Sequence, residues 1–105
     1  MKDAMIAFVT CASREEAAKI AETLVRERLA ACVNVVPSVE SCYWWEDKLN
    51  WDTECLMVIK TTAAAVERVR QRVLEVHSYD VPEFVALKID SGSEPYLKWI
   101  EDSVD

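Results

Sequence analysis

Glycine is almost missing from this chain of 105 residues: there is one, Gly92, beside three prolines and a single histidine, His77. A phosphate-cradling loop built on glycine is thereby excluded, and the segment Thr10-Cys11-Ala12-Ser13-Arg14 after the first strand-like run contains none. The four cysteines, Cys11, Cys32, Cys42 and Cys55, include no C-x-x-C pair, which excludes a zinc framework and reads as reduced, buried thiols of a cytoplasmic protein. Long apolar runs are also lacking. Residues 4–9 are too few for a signal-peptide core, and no stretch approaches a membrane span. Basic residues are the minority, 12 against 19 acidic, for a formal charge of -7. That balance argues against nucleic acid or an anionic membrane as partner and makes cations the natural ligands of the surface.

What the chain does have is apolar content, 51%, enough for the core of one domain over residues 1–105, although a domain this small gains from oligomerisation. Its most telling stretch is residues 30–62. Two β-favouring runs, AACVNVVPSVESCYWW and NWDTECLMVIKTT, flank a reversal at Glu46, Asp47 and Lys48. A strand over residues 31–45 would be roughly 50 Å long at ~3.3 Å per residue, against a radius of gyration of about 13 Å for a 100-residue domain. Trp44 and Trp45 are adjacent and so point to opposite faces of a strand. A tip apolar on both faces demands a partner, and self-association is the first functional expectation.

The remaining elements follow from periodicity. AMIAFVTC, residues 4–11, is a nearly continuous apolar strand. Ser13 and Glu16 have capping-box spacing ahead of a helix that buries Ala17, Ile20, Ala21, Leu24 and Val25. In the first hairpin strand the odd positions Val33, Val35, Val39, Tyr43 and Trp45 form one apolar side, and Pro37 predicts an edge position or a bulge. A second helix starts at Thr62 with the stripe Val66, Val69, Val73 and Val76, and stops near His77. Residues 84–89 make the last strand. A third helix opens at Ser93 with Pro95 in its first turn, and Tyr96, Trp99, Ile100 and Val104 form its apolar edge, with Trp99 as the docking residue. The order βαββαβ plus a helix predicts an α+β, ferredoxin-like sandwich with a long β2–β3 hairpin and a C-terminal helix. That superfold names no activity. An RNA-recognition module would need exposed aromatics with basic residues on its central strands, where this chain has Val, Ile, Cys and Met.

The segments ERLAACVNVVPSVESCYWWEDKL, ECLMVIKTT, HSYDVPE and YLKWI together resemble the CutA family of divalent-cation tolerance proteins, nearly end to end. Two positions depart from that family's pattern: Asp47 stands where glycine is usual in the turn, and Ser78 replaces the proline after the histidine. The resemblance implies a homotrimer of ferredoxin-like subunits, similar to the PII signalling proteins, locked together by the long hairpins. It also implies binding of copper or another divalent cation, a response to metal ions, and no established catalysis; no cofactor is expected to be needed for folding. The alternative is a PII-like signalling module that holds a small ligand in clefts between subunits.

Candidate residues follow. Tyr43, Trp44, Trp45 and Trp51 are expected at the trimer interface. Asn34 and Lys60, polar groups in apolar strands, and Tyr79 are expected in an inter-subunit cleft. His77 and Glu83 are the candidate metal ligands, although a histidine that ends a helix, packs under Tyr79 and bonds to backbone carries about twice the weight of a ligand. Copper-binding members use a cysteine on the first strand with histidines at the HPY-like segment; here the corresponding places hold Val9 and Val76, so most of that ligand set is missing.

Overall fold

The computed structural model describes residues 3–105. Its elements are β1 (Ala4–Cys11), α1 (Arg14–Arg26), β2 (Cys32–Trp45), β3 (Lys48–Thr62), α2 (Val66–Val76), β4 (Val85–Lys88) and α3 (Glu94–Ser103). The four strands form one antiparallel sheet in the order β2-β3-β1-β4. This is the ferredoxin-like order, with each helix crossing between parallel strands that have a third strand between them. The core lies between one sheet face and the two helices: Ala7, Val9, Met57 and Ile59 meet Ile20, Leu24, Val69 and Val73, all fully buried. α1 starts as its capping spacing predicts, with Ser13 Oγ accepting from Glu16 N–H at 3.1 Å. It ends in a Schellman motif, Leu29 N–H to Leu24 O at 3.0 Å and Arg28 N–H to Val25 O at 3.1 Å, with Arg28 at φ 61°.

β3 runs on to Thr62, so α2 opens at Val66 and not at Thr62 as the periodicity predicts. Ile100 in α3 and Val104, which caps it, are buried, while Trp99 is 46% exposed and stacks on Tyr96 at 5.5 Å. Trp99 is therefore not the docking residue. The helix packs on β1 and β3 through its aliphatic positions, and the chain end is tied by Asp105 N–H to Arg28 O.

Pro37 is at both kinds of place expected for it. β2 is an edge strand, and its register against β3 slips between Val36 and Val39. The inserted residue reverses the side-chain parity. Val33 and Val35, opposite Ile59 and Met57, face the helices. Val39, Tyr43 and Trp45 lie opposite Glu54, Asn50 and Lys48, on the other face. The single apolar side expected for the odd positions is thus split in two by the bulge, because a one-residue slip exchanges the faces of everything beyond it.

β1 pairs with β3 only as far as Cys11↔Cys55, whereas the hairpin pairs on to Trp45↔Lys48. Residues 48–54 and their partners overhang the sheet by roughly 23 Å at ~3.3 Å per residue. The domain is accordingly 45 Å long and 25 by 22 Å across. At the tip, Glu46 and Asp47 both have positive φ, 53° and 60°, as a two-residue type I′ turn requires. Asn50 braces the turn by donating to Lys48 O at 2.9 Å and Trp45 O at 3.3 Å. An L-residue held left-handed costs about 1–2 kcal/mol. Replacing Glu46-Asp47 by Asn-Gly is therefore expected to raise the unfolding free energy by about 1 kcal/mol, measured by urea titration at fixed protein concentration.

Candidate functional site

The overhang creates a cleft of about 870 Å³ where the hairpin leaves the sheet and residues 78–83 pass from α2 towards β4. Thr10 at the end of β1, Tyr43 and Asp52 on the hairpin, Glu54, Tyr79 and Glu83 line it. Glu54 stands just before the apolar run of β3 and is only 9% exposed. Its Oε2 accepts from Tyr79 Oη–H at 2.9 Å, and Tyr43 Oη–H donates to Asp52 beside it. Burial, and then the bond to Glu54, push the Tyr79 hydroxyl up, so it stays a donor. Glu83 is exposed at the rim of the cleft and finds no hydrogen-bond donor among the described residues. Partial desolvation of its carboxyl and the nearby Glu54 charge raise it above the usual carboxylate range.

Beneath Tyr79, and not itself lining the cleft, lies His77, whose side chain is fully buried. Nε2 lies 2.8 Å from Thr10 O, and Nδ1 accepts from Tyr79 N–H at 3.0 Å. Since a carbonyl only accepts, the proton sits on Nε2 and both nitrogens are occupied. The ring packs against Tyr79 with centroids 4.7 Å apart. Both ring nitrogens of His77 are thus engaged within this chain, whereas the expected ligand pair with Glu83 needs one of them free. Among the described residues no three of His, Cys, Asp and Glu are grouped to hold a metal ion.

The residue that sequence reasoning missed is Glu16. Beyond its capping role it receives Ser78 N–H at 2.7 Å and Ser78 Oγ–H at 3.0 Å, tying the start of residues 78–83 to α1. A proline at position 78 could donate neither bond. Burial works against the Glu16 charge, but the two Ser78 bonds and Ala12 N–H outweigh it and hold the carboxyl below its usual range. The capping-box spacing was the available signal; its second role depends on a contact 62 residues away. Because the folded value is depressed, the stabilisation exists above the unfolded value of about 4.3 and is lost as pH falls through the folded one. Glu16→Gln is expected to cost about 1.5–3 kcal/mol at pH 7 and far less at pH 3, compared by urea unfolding.

Asn34 and Lys60 bond to each other across β2 and β3. They lie some 20 Å along the strand from Glu54 at ~3.3 Å per residue, so one chain does not bring them to Tyr79. Tyr43, Trp44, Trp45 and Trp51 all fall on the overhang, with Trp44 73% and Trp51 66% exposed. Cys42, opposite Trp51, is exposed as well, unlike the buried thiol expected of it. The sheet face away from the helices is apolar and uncovered: Ile6, Phe8, Leu56 and Val58 are half-buried, and Val85 and Leu87 are exposed.

A ferredoxin-like α+β domain with an overlong hairpin and a carboxylate-lined cleft at its base defines a narrow class. The family model for the CutA1 divalent ion tolerance protein matches residues 5–103, and the chain belongs to that family. The chloroplastic protein CutA of Arabidopsis thaliana is 46% identical over 99 residues, covering 94% of this chain and 54% of that protein. The divalent-cation tolerance protein CutA of Thermus thermophilus is 44% identical over 98 residues, 93% of this chain and 95% of the relative. A solved structure of the divalent cation tolerance protein from Thermus thermophilus superposes with a TM-score of 0.94 at 42% identity, over 97% and 99% of the two chains. The chain spans about half to two thirds of the length of the plant and animal relatives. No helix among the described residues is long and apolar enough to cross a membrane.

Proposed function

We propose that this chain acts as a homotrimeric, non-enzymatic divalent-cation tolerance protein that binds copper or another divalent cation where subunits meet. Family membership over residues 5–103 carries the reading. The assembly is supported by the exposed tryptophans of the overhang and the uncovered sheet face, and the cation by the charge of -7 and the unpaired carboxylate of Glu83 next to Glu54. One chain supplies too few ligands, so a neighbouring subunit completes the shell, and oxygen donors suit a hard or borderline ion. Four free cysteines fit the reducing cytoplasm. Calorimetric titration of the assembled protein with Cu(II) and other divalent ions tests the cation. Glu83→Gln is expected to weaken binding at least about tenfold, the loss of roughly 1.4 kcal/mol. Unchanged affinity would remove Glu83 from the site.

A second reading is favoured by the cleft itself. Its volume, about 870 Å³, lies in the range of small-molecule sites, as a PII-like signalling module would need, with Asn34 and Lys60 contributed by an adjacent subunit. A thermal-shift screen of nucleotides and metabolites tests it: a ligand at 100 times its Kd adds about 2.7 kcal/mol, and no shift with any compound would count against it.

A further inference from the structure

Two buried thiols that the cleft does not use face each other across the two central strands, at the last pair of their ladder. Cys11 and Cys55 are directly opposed in β1 and β3, both on the helix side, 0% and 3% exposed. Their spacing follows from the ladder. Ala63 N–H donates to Asp3 O at 2.7 Å, directly opposite in the same register, so hydrogen-bonded pairs recur at every second step and Cys11↔Cys55 is one of them. Such pairs have Cα atoms about 5.5 Å apart and Cβ atoms near the upper end of ~4.5–5.5 Å. A disulfide wants Cβ atoms about 3.5–4.5 Å apart. The pair is too wide to oxidise without strain, but two thiolates on one ion, each with a bond of about 2.3 Å, span the gap.

We propose that Cys11 and Cys55 form a two-thiolate site for a soft monovalent d10 ion of the Cu(I) class. Soft thiolates select such ions, and a third soft donor is close: Met57, fully buried, follows Cys55 by two residues on the same face. In the absence of an ion the thiols make only weak bonds, Cys11 Sγ to Ser13 O at 3.6 Å and Cys55 Sγ to Pro37 O at 3.4 Å. Little is lost when they turn towards each other. The bond to Pro37 also marks the entry, since the β2 ladder is interrupted there. On binding, both S–H protons leave to solvent, each sulfur gives a lone pair to the ion, and nothing is oxidised. Burial first, then the charges of Glu16 and a Cys55 thiolate, push the Cys11 thiol up to about 11. Cys11 therefore stays protonated and inert until a cation offsets the charge of its thiolate.

The test is competition for Cu(I) held by bicinchoninate, in a background carrying Cys32→Ser and Cys42→Ser to remove the other thiols. The expected result is one Cu(I) per chain with sulfur-only neighbours in X-ray absorption, and its loss in the added variants Cys55→Val and Cys11→Ala, each confirmed folded by circular dichroism. Failure of the folded background protein to take up Cu(I), nitrogen or oxygen neighbours in its spectrum, or uptake that survives Cys55→Val would each overturn the proposal. The absorption spectrum decides the matter even if a variant does not fold. Divalent-ion binding at Glu83 is measured separately, so the two sites stand or fall independently.

Discussion

Trp51→Glu is expected to turn the assembled protein into single chains. Trp51 is 66% exposed on the overhang, beside Trp44 and Leu49 on the same face. Three large apolar side chains lie on a ribbon without β1 or a helix over it, and in the proposed trimer another copy covers them. Fully burying an aromatic side chain contributes roughly 1.5–3 kcal/mol, once for every subunit of a symmetric assembly. A charge set in the centre of that contact, without a partner, costs several kcal/mol more. Size-exclusion chromatography with light scattering at micromolar concentration should show the parent as an oligomer and the variant as a monomer of about 12.0 kDa, with far-ultraviolet circular dichroism unchanged. A variant that stays assembled would place the interface elsewhere on the chain, the uncovered sheet face being the next candidate.

His77→Ala is expected to be the most damaging single change around the cleft. It leaves Thr10 O and Tyr79 N–H without partners in a partly buried place, at up to about 1–3 kcal/mol for each group. It also removes the ring on which Tyr79 rests. The loss should come to roughly 3–5 kcal/mol by urea unfolding. His77→Gln, which can still offer a donor and an acceptor, should recover part of it. If His77 instead served chiefly as a metal ligand, the alanine variant would keep its stability and lose its cation.

The architecture was legible because each element announced itself by a different device. Ser13 capped α1 as its spacing requires, the valine stripe of α2 gave its buried face, and two tryptophans in succession flagged a ribbon with no inside. The parity switch was not legible: Pro37 announced an irregularity but not its size, and one extra residue decides which face Tyr43 and Trp45 occupy. Trp99 misled because size was read as burial, whereas the smaller Ile100 and Val104 are the residues that are buried. Around the cleft, His77 and Tyr79 were visible as a close pair, and the hydrogen bonds engage both ring nitrogens of His77. The grip of Glu16 on Ser78 was invisible, since it joins segments that meet only when the sheet forms. Asp47 takes the left-handed turn position in place of glycine, at φ 60°.

Native mass spectrometry of the unmodified protein, paired with acrylamide quenching of its tryptophans, tests the central claim most directly. The expected result is a species of three 12.0 kDa chains with Trp44, Trp45 and Trp51 shielded from quencher. A stable single chain at micromolar concentration, with those indoles open to quencher, would contradict it.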